Sequence, residues 1–454
     1  MTPPNRRILG WYFFDWATQP YHTVLLTFVF GPFFAATATA YFAGTGLDEQ
    51  AADARAQTMW SFCLTLSGLT VGLCAPFLGA LADTTGRRTP WVAVCSVVYI
   101  LGASALWLTN PDGSNLTFAL LAFGLGFVGA EFALIFTNAQ LPSLTSREEV
   151  GRVSGSGFAF GYLGGVIALV FVLGLLVEQD SGRTLLGLKP LFGILDADTK
   201  QGVRAAGPFV AIWFAIFMVP YFLWVREPKT TAAQPSIRKA LSQLWSTVTS
   251  LKTRPSLASF LGGSMLYRDA LNGLYGYGGT YGLLVLNWSI TKVGIFGIVS
   301  AISAVVLSWL GGQLDKRFGP KPIAIAAGLC LILVCITIVN MTRDSFFGVA
   351  LAEGSSLPDT VFFVCGILIG GLGGILQAAS RTLMVRHTDA GAETEGFGLY
   401  GFSGRATAFL APALITAVIA ATGDVRNGVI PLIALFILGL LLLRWTNAEG
   451  DRAA

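Results

Sequence analysis

The sequence predicts an all-α membrane protein with twelve transmembrane helices in two pseudo-symmetric six-helix bundles. Three observations predict it. Of 454 residues, 54% are hydrophobic and only 12% charged, too few charges for a soluble protein of this size. Apolar runs long enough to cross a bilayer recur along the whole chain. A charged turn also occurs twice. The first copy is Gly79-Ala80-Leu81-Ala82-Asp83-Thr84-Thr85-Gly86-Arg87-Arg88. A degenerate copy is Gly311-Gly312-Gln313-Leu314-Asp315-Lys316-Arg317-Phe318-Gly319-Pro320-Lys321, where Gly follows Asp by four residues instead of three. Two copies in one chain imply two homologous halves.

The spans are expected at 9–36, 59–82, 90–109, 116–141, 154–178, 208–226, 257–286, 292–314, 321–341, 361–384, 396–421 and 429–445. They divide the chain into a first bundle over 1–226, a linker over 227–256 and a second bundle over 257–454. Orientation follows from charge placement. With the N-terminus inside, nineteen of the 29 Lys and Arg fall in inside segments and eight outside, four of these eight in one long loop where the rule is weak. Arg268 and Arg405 lie within spans and complete the set. Both termini are therefore expected to be cytoplasmic, and the first apolar run is too long, and lacks the cleavage pattern, for a removed signal peptide. The six Cys lie in or near apolar runs without a C-x-x-C pair and read as reduced. Two widely separated His give no metal site. No Ser-His-Asp set or phosphate loop stands at a credible spacing, so neither an enzyme nor a cofactor is expected.

Span 1 contains Asp15, Gln19 and His22 at i, i+4, i+7, hence on one helix face. Pro20 should kink this helix. A polar stripe in a membrane helix points at protein or water; it serves either function or anchoring near the interface. The turn after span 2 joins Asp83, whose carboxylate can accept hydrogen bonds from the start of a neighbouring helix, to Arg87 and Arg88, which fix the loop inside. Span 4 carries Glu131 near mid-membrane, with Asn138 on the same face. An ionised carboxylate there is costly, so Glu131 should be protonated, paired with a cation, or both in alternation; a purely structural ion pair is the other reading. Span 5 presents Gly157, Gly161 and Gly165 as a close-packing face. The loop 179–207 is too apolar for a plain linker and can fold back over the outer mouth. In the linker, Ile237, Ala240, Leu241, Leu244, Trp245, Val248 and Leu251 recur at helical spacing beside Arg238, Lys239 and Lys252, which reads as an interfacial helix.

Span 7 holds Tyr267-Arg268-Asp269-Ala270-Leu271-Asn272 and a run of glycine and tyrosine over 275–282. Arg268 and Asp269 point about 100° apart and cannot simply pair with each other. The step from Asp269 to Tyr275 repeats that from Asp15 to Tyr21, so span 7 is the internal copy of span 1. Span 10 carries a glycine cluster, Gln377 and Arg381. Asn138-Ala139 and Gln377-Ala378 are repeat partners. Arg405, deep in span 11, needs a carboxylate, for which Glu131 and Asp269 are candidates.

The turn pattern resembles the loop 2–3 signature of the major facilitator superfamily. Further blocks narrow the resemblance: Trp11 to Ala17, Asn138-Ala139-Gln140-Leu141-Pro142, the span 5 glycines from Ser154, Tyr267-Arg268-Asp269, Gln377 to Arg381, and Gly398-Leu399-Tyr400 with Ser403-Gly404-Arg405. Together they resemble the UMF1 family, related to the Atg22-like vacuole effluxers, over nearly the whole chain. The family tends to read Asn-Ser where this chain has Thr18-Gln19. The resemblance implies a twelve-helix carrier with a central cavity lined mainly by spans 1, 4, 7 and 10, and for the fungal relatives amino-acid export.

The expected function is secondary active transport by alternating access, proton-coupled, of a small zwitterion such as an amino acid or short peptide across a bacterial inner membrane. Proton coupling is assigned to Glu131, Asp269 and Asp15, and substrate contact to Arg268, Arg405, His22, Asn138, Tyr267, Asn272 and Gln377. Gating is assigned to Asp83, Arg87, Arg88, Asp315 and Arg381. The partners are a small-molecule substrate, protons and membrane lipid, with no nucleic acid, and the carrier is expected to work as a monomer. Lipid transport through a lateral opening and a non-transporting sensor are the alternatives.

Overall fold

The computed structural model describes residues 3–179, 181–227 and 236–451. Residues 228–235 of the linker lie outside these, as do Lys229 and Arg452 of the inside-facing charges. Every expected span is occupied by helix. Spans 1 to 6 are Asn5–Gly44, Glu49–Thr85, Thr89–Leu108, Leu116–Asn138, Val150–Leu176 and Gln201–Trp224. Span 7 is Pro255–Leu284, a 30-residue helix. Spans 8 to 12 are Lys292–Phe318, Pro320–Val339, Leu357–His387, Glu393–Thr422 and Val425–Leu443. Among the described residues, eleven are long and apolar enough to cross a membrane. Span 7 is the twelfth helix, its apolar character diluted by Arg268, Asp269, Asn272 and the glycine-tyrosine run. Several helices outrun the apolar stretch that announced them. Span 2 begins at Glu49 instead of 59, because a polar first turn continues the backbone ladder into water.

Two spans are not continuous α-helices. Span 1 is α-helical to Pro20, π-helical over Tyr21–Phe28 and α-helical again over Phe30–Gly44. Pro20 has no N–H to donate, and the change of ladder at Tyr21 absorbs that loss. Span 11 was expected as one helix over 396–421. It is instead two helices, Glu393–Ala406 and Leu410–Thr422. A carboxylate from span 7 receives the broken end, as described below; Pro412, in the first turn of the second helix, has no N–H to carry the ladder across the break.

The chain packs as two compact units. The first comprises 1–71, 87–137 and 160–232, and the second 72–86, 138–159 and 233–454. In the first unit, span 3 packs on span 6 through stacked Tyr99 and Phe214, with ring centroids 4.0 Å apart. Spans 3 and 4 cross so closely at Gly102 and Gly126 that a methyl group on Gly102 would lie 2.3 Å from the Gly126 nitrogen. Span 1 is held by Trp11, whose indole donates to the Thr137 carbonyl at 2.9 Å, and by Tyr21, whose hydroxyl donates to the Phe123 carbonyl at 2.6 Å. The loop 179–207 folds back at its start, where the Leu185 amide donates to the Leu173 carbonyl at 3.0 Å, and at its end, where the Arg204 guanidinium donates to the Trp107 carbonyl at 2.8 Å. Its Leu186, Phe192 and Ile194 are exposed.

In the second unit, span 7 packs on span 12, and span 10 fills the space between spans 8 and 9. Phe296 and Phe362 stack across spans 8 and 10 at 4.8 Å. The linker helix, Ile237–Ser250, starts at Ser236, whose hydroxyl accepts from the Lys239 amide.

Replacing Gly102 by Leu is expected to separate spans 3 and 4 and to destabilise the protein by about 1–3 kcal/mol or more. Thermal unfolding in detergent checks this; an unchanged Tm would show that the crossing tolerates a side chain.

Candidate functional site

The first unit brings together one acid and one base from different spans. The His22 Nε2 lies 3.8 Å from the Glu131 Oε1. Glu131 is 9% exposed. His22 sits in the π-helical segment and rests edge-on against Phe127, 5.8 Å away. The polar stripe expected on span 1 does not hold together as one surface. Asp15 packs against Gly161, and Gln19 against Gly165, so both face the span 5 glycines, while His22 turns to span 4. The change of helical period at Tyr21 is the physical reason: residues after it no longer keep the 3.6-residue phase.

The second unit contains the turn carboxylate and its target. The Asp83 Oδ1 accepts from the Thr394 hydroxyl at 2.6 Å and from the Thr394 amide at 3.3 Å; its Oδ2 accepts from the Glu395 amide at 2.8 Å. These are the first residues of Glu393–Ala406, whose leading N–H groups have no partner within their own helix. A carboxylate there is favoured by the hydrogen bonds and by the positive helix end. Gly79 and Gly398 make the approach possible. A methyl group on either would overlap the facing backbone, at Thr394 and Ala75 respectively.

The repeat carboxylate occupies a related position. Asp315 is 2% exposed, and a methyl group on Gly151, in the first turn of span 5, would overlap its carboxylate. One helical turn on, Gly155 meets Gly312 backbone to backbone. Glu149 bridges Lys316 and Arg152 beside this crossing.

Arg381, 2% exposed, ties span 10 to the ends of spans 4 and 5. It donates to the Asn138 Oδ1 at 3.0 Å, the Ser154 Oγ at 3.0 Å and the Ser154 carbonyl at 2.7 Å. The Ser154 hydroxyl in turn donates to the Ala378 carbonyl at 2.9 Å. The guanidinium lies 4.2 Å from the centroid of Phe158, a cation–π contact strengthened by burial. Asn138, expected at the substrate, is thus a partner of Arg381, which was expected to gate.

Span 7 distributes its charges differently from the expectation. Arg268 lies 4.1 Å over the Tyr400 ring and donates to the Tyr400 carbonyl at 2.9 Å; Gly404 leaves room for the guanidinium. The Asp269 Oδ2 accepts from the Ala411 amide at 3.0 Å and so caps the second half of span 11. Tyr267 is fully buried, its hydroxyl 2.7 Å from the Ser380 Oγ, which makes it a bridge between spans 7 and 10. The Gln377 amide reaches back to the Gly373 carbonyl at 3.4 Å, and Asn272 is exposed. The Arg405 Cβ contacts the surface over Gly72.

Residues to which the sequence reading gave no site role also take part. Thr394 and Glu395 receive Asp83, and Ser154, read there only as the head of the glycine block, receives Arg381. In the first unit, the Glu227 carboxylate accepts from the Arg88 amide at 2.8 Å and from the Thr89 amide at 2.9 Å, capping span 3. The Pro after Thr89 and the acid beyond span 6 are the only sequence signs of that cap. Among the described residues no group of three or more His, Cys, Asp or Glu could hold a metal ion.

Comparison with known proteins gives consistent results. The family described as vacuole effluxer Atg22 like matches residues 4–454. The MFS-type transporter YxiO of Bacillus subtilis is 22% identical over 443 residues, covering 97% of this chain and 94% of that protein. Autophagy-related protein 22-2 of Emericella nidulans is 25% identical over 326 residues, covering 66% of this chain and 52% of that protein. The chain thus spans nearly all of the Bacillus relative and about half the length of the fungal one. Among solved structures, the proton:xylose symporter XylE superposes with a TM-score of 0.70 at 12% identity, covering 99% of this chain and 98% of that one. FucP in its outward conformation gives 0.65 at 14% identity, covering 98% and 99%. These likenesses show the twelve-helix fold.

Asp83→Asn keeps the shape of the cap but removes its charge. The Thr394 and Glu395 amides are then expected to exchange hydrogen about tenfold faster or more, since hydrogen bonds to a charged acceptor contribute about 1.5–3 kcal/mol. Unchanged exchange at these two amides would show that the carboxylate does not hold the helix start. The Lys316 ammonium, with Arg152 behind it, holds the half-buried Glu149 carboxylate below its usual range. A depressed carboxylate stabilises the fold above its unfolded pKa, near 4.3, and loses that contribution as acid protonates the folded form. Glu149→Gln is therefore expected to lower Tm slightly at neutral pH, by an amount that shrinks as the pH falls below about 4, measured as paired melting curves.

Proposed function

Because the chain belongs to the Atg22-like vacuole effluxer family and is a major facilitator superfamily transporter, we propose that it is a proton-coupled carrier working by alternating access. The observation that carries the proposal is the polar latch of the second unit. Asp83 on the start of span 11 and Arg381 on Asn138 and Ser154 join the ends of spans 2, 4 and 5 to spans 10 and 11. The hydrogen bonds named in it are ones that water can replace, so the latch can open without unfolding a helix. With both termini inside, as the distribution of Lys and Arg supports, this latch closes the cytoplasmic side of a bacterial inner membrane. The division into bundles 1–226 and 257–454, joined by the linker 227–256, belongs to the same proposal.

Glu131 and His22 are the proton-coupling pair. A carboxylate facing an imidazole can share one proton between them, so the pair can exist charged or neutral. Asp15, on the same helix as His22, is a further proton-coupling candidate. Asp269 is placed in the same group as the acid that caps the broken span 11, where protonation would weaken its hold on the Ala411 amide. For the substrate we favour a small zwitterion, an amino acid or short peptide. Arg268, Arg405 and Gln377 supply cationic and amide donors, and Glu131 supplies the acid.

The test uses the purified full chain in liposomes loaded with a pH-sensitive dye. Amino acids, short peptides and sugars are added one class at a time. A zwitterion is expected to drive a pH change that falls at least tenfold in Glu131→Gln. Silence across the panel from folded protein would overturn the coupled-zwitterion reading. A pH change that survives in Glu131→Gln would move the proton to another acid.

A further inference from the structure

The linker helix Ile237–Ser250 has three distinct sides. One side packs on the second unit through buried Ala240 and the half-buried Gln243, Leu244 and Thr247. About 100° round the axis, Ile237, Leu241, Trp245 and Val248 form an apolar edge that no part of the described chain covers. They are 61%, 52%, 72% and 44% exposed. The remaining side is polar, with Arg238, Lys239, Ser242 and Ser246. Arg238 follows the apolar edge directly around the helix.

This polar side borders a cleft of about 740 Å³ between the helix and the loop 389–392. Arg238, Lys239, Ser242, Gln243, Ser246 and Thr247 line it, together with Asp389 and the loop Ala390 to Ala392. The lining carboxylate of Asp389 is bonded by the Arg254 guanidinium at 2.8 Å, and Glu395 is fully buried behind Gln243 and Thr247. Against that one lining carboxylate, itself paired with Arg254, the cleft offers a ligand the Arg238 and Lys239 cations and the Ser242 and Ser246 hydroxyls. This is a donor set for a phosphate, beside an apolar edge suited to acyl chains.

We propose that this cleft binds the headgroup of an anionic phospholipid, whose acyl chains lie along Ile237, Leu241, Trp245 and Val248. The occupant is a lipid and not a soluble anion because charge and apolar surface adjoin on one helix: a free phosphate would use only the first. Through Gln243 and Thr247 the helix rests on Glu395, whose amide is held by Asp83. A bound lipid thus presses the helix against the residue at which the latch closes. The proposal rests on the orientation proposed above for its choice of leaflet, but not for the existence of the site.

The experiment uses the full chain in nanodiscs of phosphatidylcholine containing a minor fraction of phosphatidylglycerol. Spin-labelled phosphatidylglycerol and phosphatidylcholine report which lipid the protein immobilises. The wild-type protein is expected to select phosphatidylglycerol. The double variant Arg238→Gln, Lys239→Gln is expected to lose that selection by about fivefold per charge removed. Both residues are exposed, so the variant should melt like wild type. In parallel, brominated acyl chains should quench a fluorescence component that is missing in Trp245→Phe. Inorganic phosphate should leave lipid selection unchanged. Equal immobilisation of the two lipids, selection that survives the double variant, absence of bromolipid quenching at Trp245, or displacement by inorganic phosphate would each overturn the proposal. Both leaflets of a nanodisc carry the same lipid, so the result stands apart from the transport assay and from the direction the chain faces.

Discussion

The second unit depends on one interaction, a carboxylate from the end of one span holding the first amides of another. A membrane helix that begins inside protein must satisfy its leading N–H groups, because the bilayer offers them nothing. Asp83 supplies that need for span 11 with three hydrogen bonds, two of them short. The glycines at 79 and 398 are part of the same device, since a carboxylate on a short side chain reaches a foreign helix only where backbones nearly touch. Asp315 lying on the first turn of span 5 is the related arrangement in the other half of the repeat.

Arg381 has a different logic. Its charge is buried, and a buried cation is tolerated only with acceptors on all sides. Asn138, Ser154 and the face of Phe158 provide them from two other spans. The arginine therefore specifies which surfaces can meet, and removing any partner would leave a charge unsatisfied. The same reasoning explains why Asp269 and Arg268, neighbours in sequence, have separate partners. Adjacent residues on a helix diverge by about 100°, and each is satisfied where it points: Arg268 on Tyr400, Asp269 on the broken end of span 11.

Much of this was legible beforehand. Twelve apolar runs, the doubled turn and the placement of Asp83, Arg381 and Glu131 are properties of the chain read alone. The partner of each was not. Glu131 could have faced an arginine and faces His22. Asn138 read as a substrate contact and is held by Arg381. Thr394 and Glu227 carry no distinguishing pattern, since a hydroxyl or acid near a helix end is common and acquires meaning only from the group opposite it.

By itself the sequence determined that the chain spans a membrane many times, that its halves repeat, and which side chains are too polar to face lipid. Those facts follow from transfer free energies and helical period, which are local. Only the tertiary structure decided the π-helical turn after Pro20, the break in span 11, and the partners of Arg381, Arg268 and Asp269. The reason is physical. A helix interruption in a bilayer survives only if some other segment satisfies the freed backbone groups, and the identity of that segment, here Asp269 from a span more than a hundred residues away, is written nowhere near the break.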